Sequence, residues 1–187
     1  AVSAGLGALA GFGLAPYGLW PLAVVALALL PLVFMAAGSA GQAGLILWAF
    51  GSGYFAHTLV WIVEPFFVDA DRHGWMAPFA LLFLASGLAL FWAVAGYAAH
   101  RIGPWPAART GWLVVTLSLA EFARSYVLTG FPWAGIAQIW VDTPVAQTLA
   151  WIGPQGLSAL TMAAGLGIGL ALLRRSARAG IRLAALL

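Results

Sequence analysis

The chain has 187 residues, of which 64% are hydrophobic and only 7% charged, with a formal net charge of +3. Soluble domains carry about 25% charged residues, so these few cannot clothe an aqueous surface, and lipid is the expected solvent. The basic residues are all arginines, set mainly between apolar runs rather than in a stripe interleaved with aromatics, which excludes nucleic acid as the expected partner.

Residues 1–5 lack an initiator Met and the basic n-region of a signal peptide, so the first apolar run reads as a retained helix. Apolar runs predict spans at 2–14, 19–35, 42–63, 76–100, 111–128 and 149–173, with a seventh beginning near Ile181. The expected fold is all-α: a polytopic membrane helix bundle of six spans plus the start of a seventh. The first two runs are short and joined by Ala15-Pro16-Tyr17-Gly18, a Pro/Gly turn that favours a helical hairpin over two independent crossings. The last run, 181–187, is too short to cross about 30 Å of hydrocarbon, and the chain reads as a fragment of a longer protein.

Arginines set the expected orientation. Arg101 and Arg109 fall between the fourth and fifth runs, and Arg174, Arg175, Arg178 and Arg182 between the sixth and seventh. The positive-inside tendency makes both loops cytoplasmic. Parity then places the N-terminus in the cytoplasm, turns the 64–75 and 129–148 loops outward, and delivers whatever follows residue 187 to the outer face. Gly7-x-x-x-Gly11 and Gly165-x-x-x-Gly169 are expected helix contacts, where missing side chains let backbones approach closely.

Chemistry concentrates toward the outer face. Glu121 and Arg124 are three residues apart, so they share a helix face and can pair. Ionisable groups at membrane depth are costly, and such a pair either serves function or fixes helix register. In the full-length protein, single alanine changes at Glu121 or Arg124 are expected to impair activity more than a charge-swapped pair. Directly beyond, Thr129-Gly130-Phe131-Pro132-Trp133 must bend the chain and carries aromatics suited to the headgroup layer. Gln138, Trp140, Asp142, Gln147 and Trp151 continue a polar and aromatic run on the same side, which either docks headgroups or marks membrane depth. His57, Trp61 and Glu64, at i, i+4 and i+7, form a stripe on one face of the third span. With Asp69, Asp71 and His73 they match no metal-ligand spacing, and no metal is expected. Ser52, Ser86, Ser118 and Ser125 sit in no recognisable nucleophile motif.

The block Glu121-Phe122-Ala123-Arg124 and Leu128-Thr129-Gly130-Phe131-Pro132-Trp133 resembles the Glu-x-x-Arg and Thr-Gly-Phe-Pro-Trp block of apolipoprotein N-acyltransferases. Ala15-Pro16-Tyr17, Trp20-Pro21-Leu22, Gly51-x-Gly53, Trp61, Gln147 and Gly153-x-x-Gly156-Leu157-Ser158 add to the likeness. It covers the family's N-terminal membrane part. One departure is Ile62-Val63-Glu64-Pro65-Phe66-Phe67, where many members are more polar.

The resemblance implies a multi-pass inner-membrane enzyme, monomeric and without a cofactor, that moves an acyl chain from a phospholipid acyl donor to a diacylglyceryl-modified lipoprotein. In that family a periplasmic nitrilase-like domain, expected after residue 187, supplies a Glu-Lys-Cys triad, and the cysteine is acylated before the amine attacks. This chain holds neither Cys nor Lys, so no catalytic residue is expected in it and the fragment alone is expected to be inactive. Glu121, Arg124, Gly130, Phe131, Pro132, Trp133 and Gln138 are the expected substrate-binding residues. The rival class is a small membrane transporter or non-enzymatic scaffold, for which a buried ion pair and glycine-lined helices are also reasonable parts.

Overall fold

The apolar runs become helices, and every regular element among the described residues is helical. The computed structural model describes residues 1–127 and 130–184, with side chains through 175. The helices are α1 (Val2–Gly11), α2 (Trp20–Met35), α3 (Ala40–Thr58), α4 (Ala70–His73), α5 (Ala77–Ile102), α6 (Pro106–Tyr126) and α7 (Leu149–Ala184). Short 3-10 stretches lie at Val60–Phe67, Gly74–Met76, Ile136–Trp140 and Pro144–Thr148.

Local chemistry sets the ends. Ser39 caps α3 by accepting the Gln42 N–H at 3.2 Å, while Gln42 Oε1 accepts the Gly38 N–H at 2.8 Å. This reciprocal box satisfies donors that a helix start leaves open, so α3 begins at Ala40. α6 begins at Pro106, a residue suited to a first helical position because no donor is lost there. Arg101 and Arg109 therefore lie in the ends of α5 and α6, not in the expected longer loop. α3 stops at Thr58, and the 3-10 segment containing Pro65 leaves at 48°. α7 is kinked at Gly153, with φ 65° and ψ 175°, and Pro154 starts its long arm.

The expected six crossings are not reproduced as six long helices. Among the described residues, Ala70–Ile102 and Pro144–Arg175 are long and apolar enough to span, and Ala40–Thr58 with Val60–Phe67 adds a third if the bent pair counts as one. At 1.5 Å per residue, the 10 residues of α1 and 16 of α2 reach about 15 and 24 Å, short of about 30 Å of hydrocarbon. They pack on each other as the hairpin that the Pro/Gly turn implied. α6 has 21 residues, long enough by the same measure, but carries Arg109, Glu121 and Arg124. No seventh helix starts near Ile181: beyond the kink at Gly153 the backbone stays helical from Pro154 through Ala184, across the arginine-rich stretch expected to be a loop.

The helices other than the four-residue α4 close into a ring in the order α1, α3, α5, α6, α7, α2 and back to α1, each packing on the next. Small residues make two of these contacts close. Gly7 lies over the Phe50 carbonyl and Gly53 over the Ala4 carbonyl where α1 crosses α3, while Gly165 and Gly169 seat α7 on Leu27 and the Ala28 carbonyl of α2. The expected Gly165-x-x-x-Gly169 contact is thus present, and Gly7-x-x-x-Gly11 packs α1 on α3, with Gly11 against His57. Leu27, Leu30, Phe34, Leu47, Phe50, Tyr54, Phe55, Trp92 and Leu113 fill the interior.

Candidate functional site

At the end of the ring opposite the α5–α6 turn, the segment after α6 folds back over the helix ends. Gly130 makes this return possible. Its φ of 73° is a conformation that residues with a Cβ rarely adopt, and an added Cβ would meet the Ser125 carbonyl. The chain turns so that the Phe131 N–H donates to the Arg124 carbonyl at 2.9 Å.

Under that return lies the ion pair. Glu121 and Arg124 are 4% and 2% exposed. Arg124 Nε donates to Glu121 Oε1 at 3.0 Å and Nη2 to Oε2 at 2.8 Å, the two-point geometry in which guanidinium and carboxylate match best. Nη1 donates to the carbonyls of Phe131 and Trp133, the latter at 2.8 Å. The guanidinium carbon stands 5.1 Å from the Phe55 ring centroid, a cation–π contact. Trp92 Nε1 donates to Glu121 Oε1 at 2.8 Å, and its ring packs on Phe50, Tyr54 and Phe55. A buried charge is tolerated when it is paired and its remaining valences are bonded; here α3, α5, α6 and the returning segment each contribute to that.

The arrangement holds Trp133 at the wall of a cavity of about 540 Å³. Gly13, Leu14, Ala15, Gly18 and Trp20 come from the α1–α2 hairpin, Thr58, Leu59 and Trp61 from the end of α3 and beyond, and Trp133, Ala134, Gln138, Ile139, Val141, Asp142 and Thr143 from the returning segment. Trp61 meets Trp133 edge to face at 5.9 Å between centroids. The walls are mainly apolar, with Thr58, Gln138, Asp142 and Thr143 as polar groups, a composition suited to an amphiphile. A second, smaller cavity of about 60 Å³ lies beside the ion pair, lined by Glu121, Arg124, Pro132, Gln138, Gln155 and Ser158 among others. Gln138 lines both.

Of the expected substrate-binding residues, Trp133 and Gln138 line the large cavity, and Glu121, Arg124, Pro132 and Gln138 line the small one. Gly130 and Phe131 shape the segment between. Thr129 and Leu128 of the motif lie outside the described residues. The guanidinium of Arg124 is committed to Glu121 and to backbone carbonyls, which makes it a positioning group. The His57–Trp61–Glu64 stripe is not kept: the bend after Thr58 separates its members. His57 packs on Phe12 and Tyr17, Trp61 reaches the cavity, and Glu64 is exposed. Among the described residues no three of His, Cys, Asp and Glu are placed to hold a metal ion.

Trp92 and Phe55 were not singled out, because each reads as one more aromatic in an apolar run. Trp140 Nε1 donates to Thr161 Oγ1 at 2.8 Å, its ring meets Trp20 at a tilt, and Ser158 accepts the Ala137 N–H at 3.1 Å, so α7 also anchors the returning segment.

Residues 6–167 match the sequence model of the apolipoprotein N-acyltransferase N-terminal domain. The chain is 40% identical over 121 residues to an apolipoprotein N-acyltransferase of Caulobacter vibrioides, covering 62% of this chain and 22% of that protein. It is 36% identical over 166 residues to one of Rhodopseudomonas palustris, covering 84% and 30%, and 32% identical over 193 to one of Rhizobium etli, covering 98% and 36%. The chain thus spans about a fifth to a third of the length of these relatives. With the match running through all the long helices and the Glu121 to Trp133 block, the chain belongs to the apolipoprotein N-acyltransferase family, of which it carries the N-terminal membrane domain.

Proposed function

We propose that the chain is the membrane part of an enzyme that moves an acyl chain from a phospholipid to the amino group of a lipoprotein's diacylglyceryl-modified cysteine. The observation that carries this reading is the large cavity. Its walls come from three separate stretches, each of which holds residues of the family resemblance: Ala15 and Trp20, Trp61, and Trp133. The aromatic and aliphatic walls accept an acyl chain, and Gln138, Asp142, Thr143 and Thr58 meet the polar end of the same molecule. Glu121, Arg124, Gly130, Phe131 and Pro132 serve binding by holding Trp133 in place.

The bundle supplies no thiol, so the acylated nucleophile belongs to a part of the protein outside these residues, the periplasmic nitrilase-like domain with its Glu-Lys-Cys triad. The 187 residues alone bind and present substrate without transferring it. The protein works as a monomer in the inner membrane without a cofactor. Its N-terminus and the α5–α6 turn lie in the cytoplasm and the cavity opens at the periplasmic face, consistent with Arg101, Arg109, Arg174 and Arg175 at one end. The α1–α2 hairpin completes six passes as two shallow ones.

The test uses the full-length protein, labelled phospholipid and a diacylated lipopeptide. Trp133→Ala and Gln138→Ala should each lower the transfer rate by about tenfold or more. Trp151→Ala, at an exposed tryptophan outside the cavity, should leave it unchanged. Wild-type rates in both cavity variants would remove the cavity from the substrate path.

A further inference from the structure

Midway along α5, Leu90 and Val94 stand out from the bundle, 57% and 68% exposed. They form a ridge with an apolar groove on each side. One groove, about 550 Å³, runs between α5 and α6 over Ala95, Ala98, Ala120 and Ala123. The other, about 470 Å³, runs between α3 and α5 over Gly41, Gly44 and Ala93. Leu90 and Val94 line both. The hydroxyl of Thr116 in the first groove is turned back onto the Trp112 and Leu113 carbonyls, so the groove presents hydrocarbon.

The ridge leads to a cation. At about 100° per residue, Val94 lies about 40° around the helix from Leu90 and Arg101 about 20° from it. Arg101, exposed, therefore continues the same line toward the helix end. Across the tight turn stands Arg109, whose Nε donates to the Gly103 carbonyl at 3.2 Å. Arg174 and Arg175 near the far end of α7 share this end of the bundle. Among the described residues no side-chain carboxylate does: Glu64, Asp69, Asp71 and Asp142 belong to the other end, and Glu121 is paired with Arg124.

We propose that this face binds one two-chain anionic phospholipid, with a chain in each groove astride Leu90 and Val94 and the phosphate between Arg101 and Arg109. Basic residues at the end of an interhelical groove attract an anionic headgroup, and guanidinium is the side chain best matched to phosphate. Two grooves of similar volume flanking one ridge fit two chains joined at a single head. A second copy packed symmetrically on this face in the same membrane would set Arg101 close to Arg101, so like charge disfavours that occupant. The site lies at the opposite end from the large cavity and does not depend on the acyl-transfer reading.

Native mass spectrometry tests this on the protein in mild detergent, offered equal amounts of dioleoyl phosphatidylglycerol and dioleoyl phosphatidylcholine. The expected result is preferential retention of one phosphatidylglycerol per chain, with its single-chain lyso form held less well. The double variant Arg101→Gln with Arg109→Gln should lower that retention about tenfold or more, to the level of phosphatidylcholine. Ala98→Leu, which fills one groove and leaves the charges, should lower it as well, with an unchanged melting temperature showing that both variants are folded. Equal retention of the two lipids by the wild type, or undiminished phosphatidylglycerol on the folded double variant, overturns the proposal.

Discussion

Arg124 shows what one buried cation can organise. Its bonds to the Phe131 and Trp133 carbonyls tie the returning segment to α6, and Glu121 neutralises it with help from Trp92. Arg124→Gln should cost about 3–5 kcal/mol, because Glu121 is left as an unpaired buried charge, and thermal unfolding in detergent measures this. Trp92→Phe keeps the stacking but removes one charge-assisted bond, for about 1.5–3 kcal/mol. For stability, the carbonyls argue that a charge swap offers no rescue. A carboxylate at 124 would face two carbonyl oxygens, so Glu121→Arg with Arg124→Glu should be no more stable than either single alanine variant; recovery of stability by the swap would show that the carbonyl bonds contribute little. Ala134, next to Trp133, is buried with a φ of 56°. Ala134→Val should lower the melting temperature, since a branched side chain fits that conformation poorly, whereas Ala134→Gly should be tolerated.

Elements cross closely where glycines permit it. At the α1–α3 crossing, Gly7 and Gly53 each lie against a carbonyl of the other helix, so a larger side chain at either must drive the helices apart. Gly53→Leu should therefore abolish recovery of folded protein in a detergent-stability screen, while Gly5→Ala, in the same helix pair but facing open space, should be neutral or stabilising. Gly7-x-x-x-Gly11 and Gly165-x-x-x-Gly169 were legible as small-residue spacing, but which partner each would meet was not. Ser39-x-x-Gln42 is a capping box readable in sequence, and its effect was to start α3 earlier than hydropathy alone implied. The bend after Thr58 was harder to read. Hydropathy carries the apolar run through Val63, and the 48° bend between Thr58 and Val60 shows only in the backbone, which is why His57, Trp61 and Glu64 separate.

For the whole molecule, the ring of helices sets Arg101, Arg109, Arg174 and Arg175 at one end and Glu64, Asp69, Asp71 and Asp142 at the other, where Arg72 also lies. These 187 residues hold no cysteine, so a single cysteine introduced into them can be labelled in this chain without a competing thiol. Asp71→Cys should react with an impermeant maleimide added outside spheroplasts, and Pro104→Cys only after permeabilisation; the reverse pattern would invert the proposed topology. The short α1–α2 hairpin belongs to this scale too. It closes the ring between α3 and α7 and supplies one wall of the cavity, a role neither helix has alone.

The family was legible in the sequence through its motifs, and by itself the sequence determined the membrane character, the all-helical class and the pairing of Glu121 with Arg124. These follow from composition, from residue-by-residue hydropathy and from neighbours along one chain. Only the tertiary structure decided that Arg124 spends its donors on carbonyls, that Trp92 and Phe55 complete its surroundings, and that Ala15, Trp61 and Trp133 share a cavity. Helical periodicity specifies which residues share a face of one helix. Bonding partners on different helices depend on how the ring closes, and that is set by close packing among all of them together.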